Sequence, residues 1–164
     1  MNSDIYNLSL ELGQCLQRGH RQFTCAESCT GGLIAAAVTD VPGSSAWFEQ
    51  GFVTYSNQAK HDLLGVDTGL FERHGAVSEA VVEAMLRGAL MRSGADIGLA
   101  VSGIAGPGGG SEQKPVGTVC FAWGSLKQPK VQRCLFDGDR AEVRRQATEF
   151  GLRAVLAFIS STTV

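Results

Sequence analysis

The chain has 164 residues, of which 44% are apolar and 18% are charged, and its net charge at pH 7 is −2. This composition is typical of a globular protein, and we expect residues 1–164 to form one domain. The net charge argues against a strongly basic protein that binds nucleic acid. The sequence contains no stretch of eighteen apolar residues that would predict a membrane span. The N-terminus lacks the pattern of a signal peptide, which predicts a cytoplasmic protein. Five cysteines at irregular spacings predict reduced thiols rather than disulfides.

The first half of the sequence predicts helices that alternate with strands. Apolar residues at helical spacing indicate a first helix that ends near Gly19. The alternating segment 22–27 predicts a strand that stops at Ser28, and the alanine-rich segment 30–40 predicts a helix that ends before Pro42. The aromatic and β-branched segment 48–57 predicts a second strand, which a short helix at 57–65 follows.

The second half begins with a helix at 79–94, for which Ser78 is the predicted N-cap. The apolar run 96–106 predicts a buried strand, and the glycine- and proline-rich segment 106–117 predicts an irregular loop. Segments 118–123 and 131–136 are rich in β-formers and predict an antiparallel hairpin. Apolar residues at helical spacing predict a long final helix over 139–160.

This order of elements predicts an α/β fold: a three-layer α/β/α single domain with a mixed, mostly parallel sheet and a C-terminal antiparallel hairpin. In open α/β sheets, ligands bind at the carboxyl ends of the strands. Three polar or glycine-rich segments follow predicted strands, at 28–32, 55–60 and 102–110. The sequence therefore predicts a binding site where these three segments meet.

Ser28 follows a predicted strand, and Gly31 and Gly32 open the predicted helix after it. Glycine lets the backbone turn sharply and approach a ligand closely. The free N–H groups at a helix start can bind an anion or a developing oxyanion. These features suit a serine nucleophile, although the pattern is not G-x-S-x-G. In the alternative interpretation, Ser28 or Thr30 only caps the helix, and the local pattern leaves both open.

A serine nucleophile needs a base. The three histidines are poorly placed for this role, since they follow a surface helix, lie in a turn or adjoin an aspartate (His20, His74 and His61, respectively). Lys60 is the better candidate, because burial can depress the pKa of a lysine well below about 10.4. Tyr55, at the strand end, could share the proton or orient the lysine. The alternatives are a solvated helix lysine and a half-buried strand aromatic.

Two other motifs have the spacing of known catalytic or metal sites but lack the other features of such sites. Ser111 and Lys114 match S-x-x-K, but they lie in a glycine-rich loop rather than at a helix start, so Lys114 is at most a loop or ligand contact. Cys25 and Cys29 have no second pair or nearby histidine to complete a zinc site. Cys29 remains a rival nucleophile, because a helix N-terminus lowers the pKa of a thiol.

The glycine-rich segment 102–110 is neither a Walker loop nor a G-x-G-x-x-G motif. Its backbone N–H groups could still form a concave site for a phosphate. The alternative is a flexible connection between a buried strand and the hairpin. The pattern does not decide between the two.

Five segments together resemble the CinA C-terminal domain family, which includes stand-alone nicotinamide mononucleotide amidohydrolases. They are "AESCTGG", "GSSAWFEQGFVTYSNQAK", "GAVSEAVV", "SGIAGPGGGSEQKPVGTV" and "GDRAEVRRQA", and they span residues 26–147 in the family's order. The resemblance implies hydrolysis of nicotinamide mononucleotide to nicotinate mononucleotide and ammonia, without a metal or an organic cofactor. It also implies a homo-oligomer. Many relatives have an additional N-terminal domain, and its absence here predicts a dedicated deamidase.

The resemblance places the family's nucleophile at Ser28 and its tyrosine and lysine at Tyr55 and Lys60. Combined with the strand-end pattern, it suggests that N–H groups of Cys29, Thr30 and Gly31 hold the oxyanion. The hypothesised substrate-binding residues are Gly32, Asn57, Ser102, Gly103, Ile104, Ala105, Gly106, Gly108 and Arg140.

Three alternatives to this assignment stay open. For Arg140, the alternative is an ion pair with Glu142 or a cation at the helix start. For the whole chain, one alternative is a non-catalytic nucleotide-binding or regulatory module, and the other is a different amidase or a hydrolase that uses Cys29.

Overall fold

The computed structural model describes residues 2–162, in which a five-stranded sheet lies between two layers of helices. The strands occur in the order β2-β1-β3-β4-β5 across the sheet. β1 pairs in parallel with β2 and β3, whereas β4 runs antiparallel to β3 and β5. β5 therefore points the same way as the first three strands, which confirms the mixed, mostly parallel sheet and its hairpin. The bounds are β1 (Phe23–Glu27), β2 (Phe48–Val53), β3 (Ile97–Gly103), β4 (Thr118–Gly124) and β5 (Pro129–Leu135).

Helices cover both faces of the sheet, which confirms the predicted three layers. α1, α2 and α6 contact one another on one face, and α5 packs on the other face with α3 and α4 beside it. Within residues 2–162, none of the helices is both long and apolar enough to cross a membrane. The helices are α1 (Ser3–Arg18), α2 (Leu33–Thr39), α3 (Asn57–Leu64), α4 (Thr68–His74), α5 (Glu79–Ser93) and α6 (Arg140–Thr162).

The central strands are buried on both faces, and their ends are level. β1 is buried along its whole length and β3 along nearly all of it, because helices pack on both sides, whereas the edge strands β2 and β5 are largely exposed. Glu27, the last residue of β1, pairs with Val53 of β2 and Val101 of β3. The chain therefore leaves three parallel strands at the same edge of the sheet.

The helix that carries Lys60 is fixed at both ends. At its start, the Ser56 hydroxyl accepts a hydrogen bond from the Ala59 N–H at 3.0 Å and caps α3. At its end, α5 approaches so closely that a Cβ at Gly88 would overlap the Leu64 carbonyl oxygen. Only glycine permits this approach, so the α3–α5 contact holds Lys60 in place.

The structure corrects three details of the predicted elements. β1 does not alternate between buried and exposed residues, because both of its faces are covered. α2 begins at Leu33, later than the predicted start at residue 30. The segment 68–74 is a helix that the sequence analysis missed, and His74 is its last residue rather than part of a turn. α4 is only seven residues long, too short to show a helical period, and the Asp67 carboxylate caps it.

Candidate active site

The three segments that follow the parallel strands meet at one edge of the sheet. Ser28 comes directly after β1, Tyr55 follows β2, and Ser102 lies near the end of β3. The Ser28 N–H donates to the Val101 carbonyl at 3.1 Å, and the Thr54 N–H donates to the Glu27 carbonyl at 2.8 Å. Main-chain bonds thus extend the sheet by one residue and fix where Ser28 and Tyr55 leave it.

The Lys60 amine contacts the Ser28 hydroxyl inside the protein. Lys60 Nζ lies 3.0 Å from Ser28 Oγ and 3.1 Å from the Tyr55 carbonyl oxygen. The Ser28 hydroxyl also lies within hydrogen-bond distance of that carbonyl, at 3.3 Å. Lys60 is 1% exposed, so the interpretation of a solvated helix lysine is wrong.

Burial lowers the pKa of Lys60 below its ordinary value of 10.5, because desolvation penalises the ammonium form. Among residues 2–162, no carboxylate forms an ion pair with Nζ to oppose this effect. A neutral amine has a lone pair that can accept a proton from the serine hydroxyl. The pair therefore has the geometry and the environment of a nucleophile and its base.

Tyr55 contributes its main chain to the Ser28–Lys60 pair, whereas its phenol points elsewhere. The Tyr55 hydroxyl accepts a hydrogen bond from Arg140 at 3.0 Å, and the residue is 59% exposed. Within the described part of the chain, no hydrogen bond joins the phenol to Ser28 or Lys60. The sequence identified the residue, but only the fold shows that its carbonyl contacts the pair.

Glu27, rather than Ser28 or Thr30, caps α2. The Glu27 carboxylate is fully buried and accepts hydrogen bonds from the N–H groups of Gly32, Ile34 and Ala35 at 3.2, 2.9 and 3.0 Å. The capping alternative for Ser28 or Thr30 is therefore wrong, because no side-chain oxygen of theirs reaches the helix start. A carboxylate at this position also interacts favourably with the helix dipole. The Ser28 hydroxyl is left free for other contacts.

The turn between β1 and α2 leaves two N–H groups available. The Gly31 N–H donates to the Ser28 carbonyl at 3.0 Å, so it is not free to hold an oxyanion as the sequence analysis suggested. Within residues 2–162, the N–H groups of Cys29 and Thr30 donate a hydrogen bond to no other residue. The set of candidate oxyanion donors is thereby reduced to these two.

A cavity of about 270 Å³ opens over Ser28 and Lys60. This is near the lower end of the roughly 300–1,000 Å³ found for small-molecule sites. Thr30, Gly31 and Gly32 are not among the residues that line the cavity, and the Gly32 N–H binds Glu27. The hypothesised substrate-binding residues that do line it are Asn57, Ser102, Gly103, Ile104, Ala105, Gly106, Gly108 and Arg140.

Part of the cavity wall was missed by the sequence analysis. Ala76 and Val77, just before α5, line the cavity, and so does Gly109 in the glycine-rich loop. The Ser102 hydroxyl donates to the Ala76 carbonyl at 2.9 Å, which ties this wall to the end of β3. Small apolar residues have no chemical signature, and the signal that could have indicated Ala76 and Val77 is their place in the resembling segment "GAVSEAVV".

Arg140, the first residue of α6, spans the mouth of the site. Its guanidinium donates to the Gly106 carbonyl at 2.8 Å and to the Tyr55 hydroxyl at 3.0 Å. The alternative ion pair with Glu142 does not form, because Glu142 binds Arg145 at 2.7 Å. Arg140 thus places a positive charge on the cavity wall.

The S-x-x-K pair is not a catalytic arrangement. The Ser111 hydroxyl accepts the Lys114 backbone N–H at 3.1 Å, while the Lys114 amine donates to the His74 carbonyl at 2.6 Å. Lys114 therefore contacts the C-terminal end of α4, and it does not line the cavity over Ser28.

The thiols near the site are unsuited to the chemistry considered for them. Burial raises the pKa of Cys29 to about 12, so its thiolate is scarce at neutral pH. Cys25 and Cys29 are both free, and no group of three His, Cys, Asp or Glu residues in positions 2–162 could hold a metal ion. The geometry favours Ser28 over Cys29 as the nucleophile.

Comparisons with known proteins agree on one family. A sequence model of the CinA C-terminal domain matches residues 5–159. The chain is 57% identical over 152 residues to the nicotinamide-nucleotide amidohydrolase PncC of Pseudomonas putida, which covers 93% of this chain and 95% of the relative. It is 54% identical over 156 residues to the PncC of Enterobacter agglomerans, with 93% of each chain covered.

A comparison with a solved structure also shows similarity along nearly the whole chain. The competence damage-inducible protein A of Klebsiella pneumoniae superimposes with a TM-score of 0.94 at 39% identity, over 97% of this chain and 99% of that one. Sequence and structure are thus similar to the same group of proteins along nearly the whole chain. The chain belongs to the CinA C-terminal domain family.

Proposed function

We propose that the protein is an amidohydrolase that converts nicotinamide mononucleotide and water to nicotinate mononucleotide and ammonia. The observation that carries this proposal is the 3.0 Å contact between the Ser28 hydroxyl and the buried Lys60 amine at the floor of a cavity. This arrangement suits attack on an amide carbonyl. The substrate is supported by the PncC relatives, which are named nicotinamide-nucleotide amidohydrolases.

In the first half of the reaction, neutral Lys60 accepts the proton of Ser28 as Oγ bonds to the carboxamide carbon. The electron pair of the C=O bond moves onto oxygen, and the N–H groups of Cys29 and Thr30 face that charge. Lys60 then returns a proton to the amide nitrogen, the C–N bond breaks and ammonia leaves. Nicotinate mononucleotide remains attached to Ser28 as an ester.

In the second half, water replaces ammonia. Lys60 accepts a proton from the water as its oxygen bonds to the ester carbon. The ester C–O bond then breaks, the proton returns to Ser28 Oγ, and the acid product is released. The same amine thus serves as base and acid in both halves, which requires that it be neutral at the start of each.

The rest of the substrate occupies the cavity between β3 and α6. Arg140 supplies the positive charge on the cavity wall, and the neighbouring N–H groups of Gly108 and Gly109 are suited to phosphate oxygens. Asn57, at the start of α3, supplies a neutral polar group beside Lys60. None of these roles requires a metal ion.

The test is ammonia release from nicotinamide mononucleotide in the presence of EDTA, by the wild type, Ser28→Ala and Cys29→Ala. We expect turnover by the wild type, loss of at least about 10⁴-fold in Ser28→Ala, and near-wild-type turnover in Cys29→Ala. We expect the wild-type rate to rise with pH as Lys60 loses its proton, because only the neutral amine acts as a base and burial lowers its pKa.

Two other outcomes would each indicate a different function or a different nucleophile. If folded Ser28→Ala stays active and Cys29→Ala does not, the nucleophile is the thiol. If the folded wild type binds the nucleotide but releases no ammonia, the chain is a binding module and the proposed activity is wrong.

A further inference from the structure

The turn that carries Ser28 is held by Arg144, a residue of the distant helix α6. The Arg144 guanidinium donates through Nε to the Cys29 carbonyl at 3.0 Å and through a terminal nitrogen to the Thr30 carbonyl at 3.2 Å. The rigid fork of an arginine can hold two neighbouring oxygens in this way. Arg144 does not line the cavity, so it acts from behind the turn.

These bonds determine where the free N–H groups of the turn point. In a planar trans peptide, the C=O and the following N–H point in opposite directions. The Cys29 carbonyl faces Arg144, so the Thr30 N–H in the same peptide faces away from Arg144. The Ser28 carbonyl faces the Gly31 N–H, so the Cys29 N–H, which belongs to the same peptide, faces away from Gly31. These are the two N–H groups of the turn that lack an acceptor among the described residues.

Gly31 shows how closely the guanidinium lies against the turn. A Cβ at this position would lie 3.1 Å from a terminal nitrogen of Arg144. Gly31 also has a φ of +58°, in the left-handed region that favours glycine. The tight turn and the guanidinium therefore fit one another.

We propose that Arg144 is a positioning residue, which orients the N–H groups of Cys29 and Thr30 toward the oxygen of the acyl group that Ser28 attacks. This inference rests on the proposed function, since it needs acyl transfer at Ser28. The donors belong to the turn and not to α2, because Glu27 binds the N–H groups of Ile34 and Ala35 and the Thr30 carbonyl binds that of Leu33.

The cation has a second effect beyond geometry. A positive charge on the Cys29 carbonyl polarises that peptide and makes the Thr30 N–H a stronger donor. Donors that are already oriented need no reorganisation when charge develops on the oxygen, and losing one typically costs about 10²–10³-fold in kcat. Arg144 thus acts on the transition state through two peptide groups, without touching the substrate.

The test compares Arg144→Gln with Arg145→Gln, the same substitution at the next residue of α6. Arg145 is held by Glu142 and Glu149 at 2.7 Å each, and none of its hydrogen bonds goes to residues 28–32. For deamidation of nicotinamide mononucleotide, we expect kcat of Arg144→Gln to fall by about 10²-fold, with KM changed by less than about threefold. We expect Arg145→Gln to keep kcat within about twofold.

A second variant covers the case in which Arg144→Gln does not fold. Arg144→Lys keeps the positive charge but cannot bind two carbonyls as a fork, and we expect kcat to fall by about tenfold. Three results would overturn the inference. They are an unchanged kcat, a rise in KM that accounts for the loss, and a loss of kcat that matches the fraction of unfolded enzyme.

Labelling of Ser28 by a fluorophosphonate separates this inference from the choice of substrate. In that reaction Ser28 Oγ bonds to phosphorus, the P–F bond breaks, the serine proton passes to Lys60 and fluoride leaves. The phosphoryl oxygen takes the place of the acyl oxygen, so we expect Arg144→Gln to label about 10²-fold more slowly than the wild type.

If the wild type labels in this way but does not release ammonia from nicotinamide mononucleotide, the substrate assignment fails and the role of Arg144 stands. Equal labelling rates in the wild type and Arg144→Gln, or no labelling of wild-type Ser28, would overturn the role of Arg144.

Discussion

Two glycine-containing segments face each other across the cavity, and they are held very differently. The turn at 28–32, after β1, is fixed by Glu27 on one side and Arg144 on the other, and Ser28, Cys29 and Thr30 are buried. The loop at 107–110, after β3, is exposed, and within residues 2–162 no hydrogen bond holds its backbone. Both follow parallel strands of one sheet, so the difference comes from what packs around each.

The difference corresponds to two requirements of the proposed reaction. A nucleophile and its oxyanion donors act best when their positions are fixed before the substrate arrives. A segment that receives a nucleotide needs unoccupied N–H groups, which a loop without internal hydrogen bonds supplies. We therefore assign the chemistry to the turn and substrate binding to the loop.

The largest effect is expected from Lys60, on the fixed side of the cavity. In Lys60→Met we expect kcat/KM to fall by at least about 10⁴-fold, because Ser28 loses its base. The fold should persist, since an apolar side chain of similar length replaces a buried amine. Steady-state kinetics and thermal melting measure both. Lys114→Met, in the segment that follows the exposed loop, is the control and should stay within about twofold. An active Lys60→Met would contradict the assignment.

A smaller effect is expected on stability when the cap of α2 is weakened. In Glu27→Gln one of two acceptor oxygens becomes an amide that faces N–H groups, and we expect the free energy of unfolding to fall by about 2–3 kcal/mol. Glu112→Gln, at an exposed position after the loop, should change it by less than about 0.5 kcal/mol. Urea denaturation of the two variants provides the measurement. Equal stabilities would mean that the turn is not held more firmly than the loop.

The smallest effect on stability is expected when one glycine of the turn and one glycine of the loop are each replaced by alanine. In Gly31→Ala we expect a loss of about 1–2 kcal/mol in the free energy of unfolding, because alanine resists a φ of +58° and its Cβ presses on Arg144. At Gly108 a Cβ would meet no atom of residues 2–162 within 4 Å, so the free energy of unfolding of Gly108→Ala should stay within about 0.5 kcal/mol of the wild type. Urea denaturation again measures both. A stable Gly31→Ala would show that the turn tolerates more movement than we infer.

Much of the fold followed from local patterns. Ser78 was recognised as an N-cap, and the hairpin of β4 and β5 followed from two β-rich runs around a turn. α4 was missed because seven residues are too few to display a helical period. The homo-oligomer and the cytoplasmic location stay predictions.

The candidate site was predicted in outline and corrected in detail. The strand ends and the family resemblance identified Ser28, Tyr55 and Lys60. They did not indicate that the Tyr55 phenol binds Arg140 or that Gly31 has no free N–H. Such details depend on residues far apart in the chain, and a local pattern carries no information about them.

The sequence by itself determined the elements, their order and the residue types at the ends of three strands, because these follow from periodicity, turn formers and recognisable motifs. Tertiary structure alone decided which groups are buried and where they point. Lys60 has a lowered pKa because its amine is buried against Ser28 and Tyr55, which follow β1 and β2. Ser28 is free of a capping role because Glu27 caps α2. The N–H groups beside Ser28 are oriented by Arg144, more than a hundred residues later in the chain, since only packing of α6 against the turn brings them together.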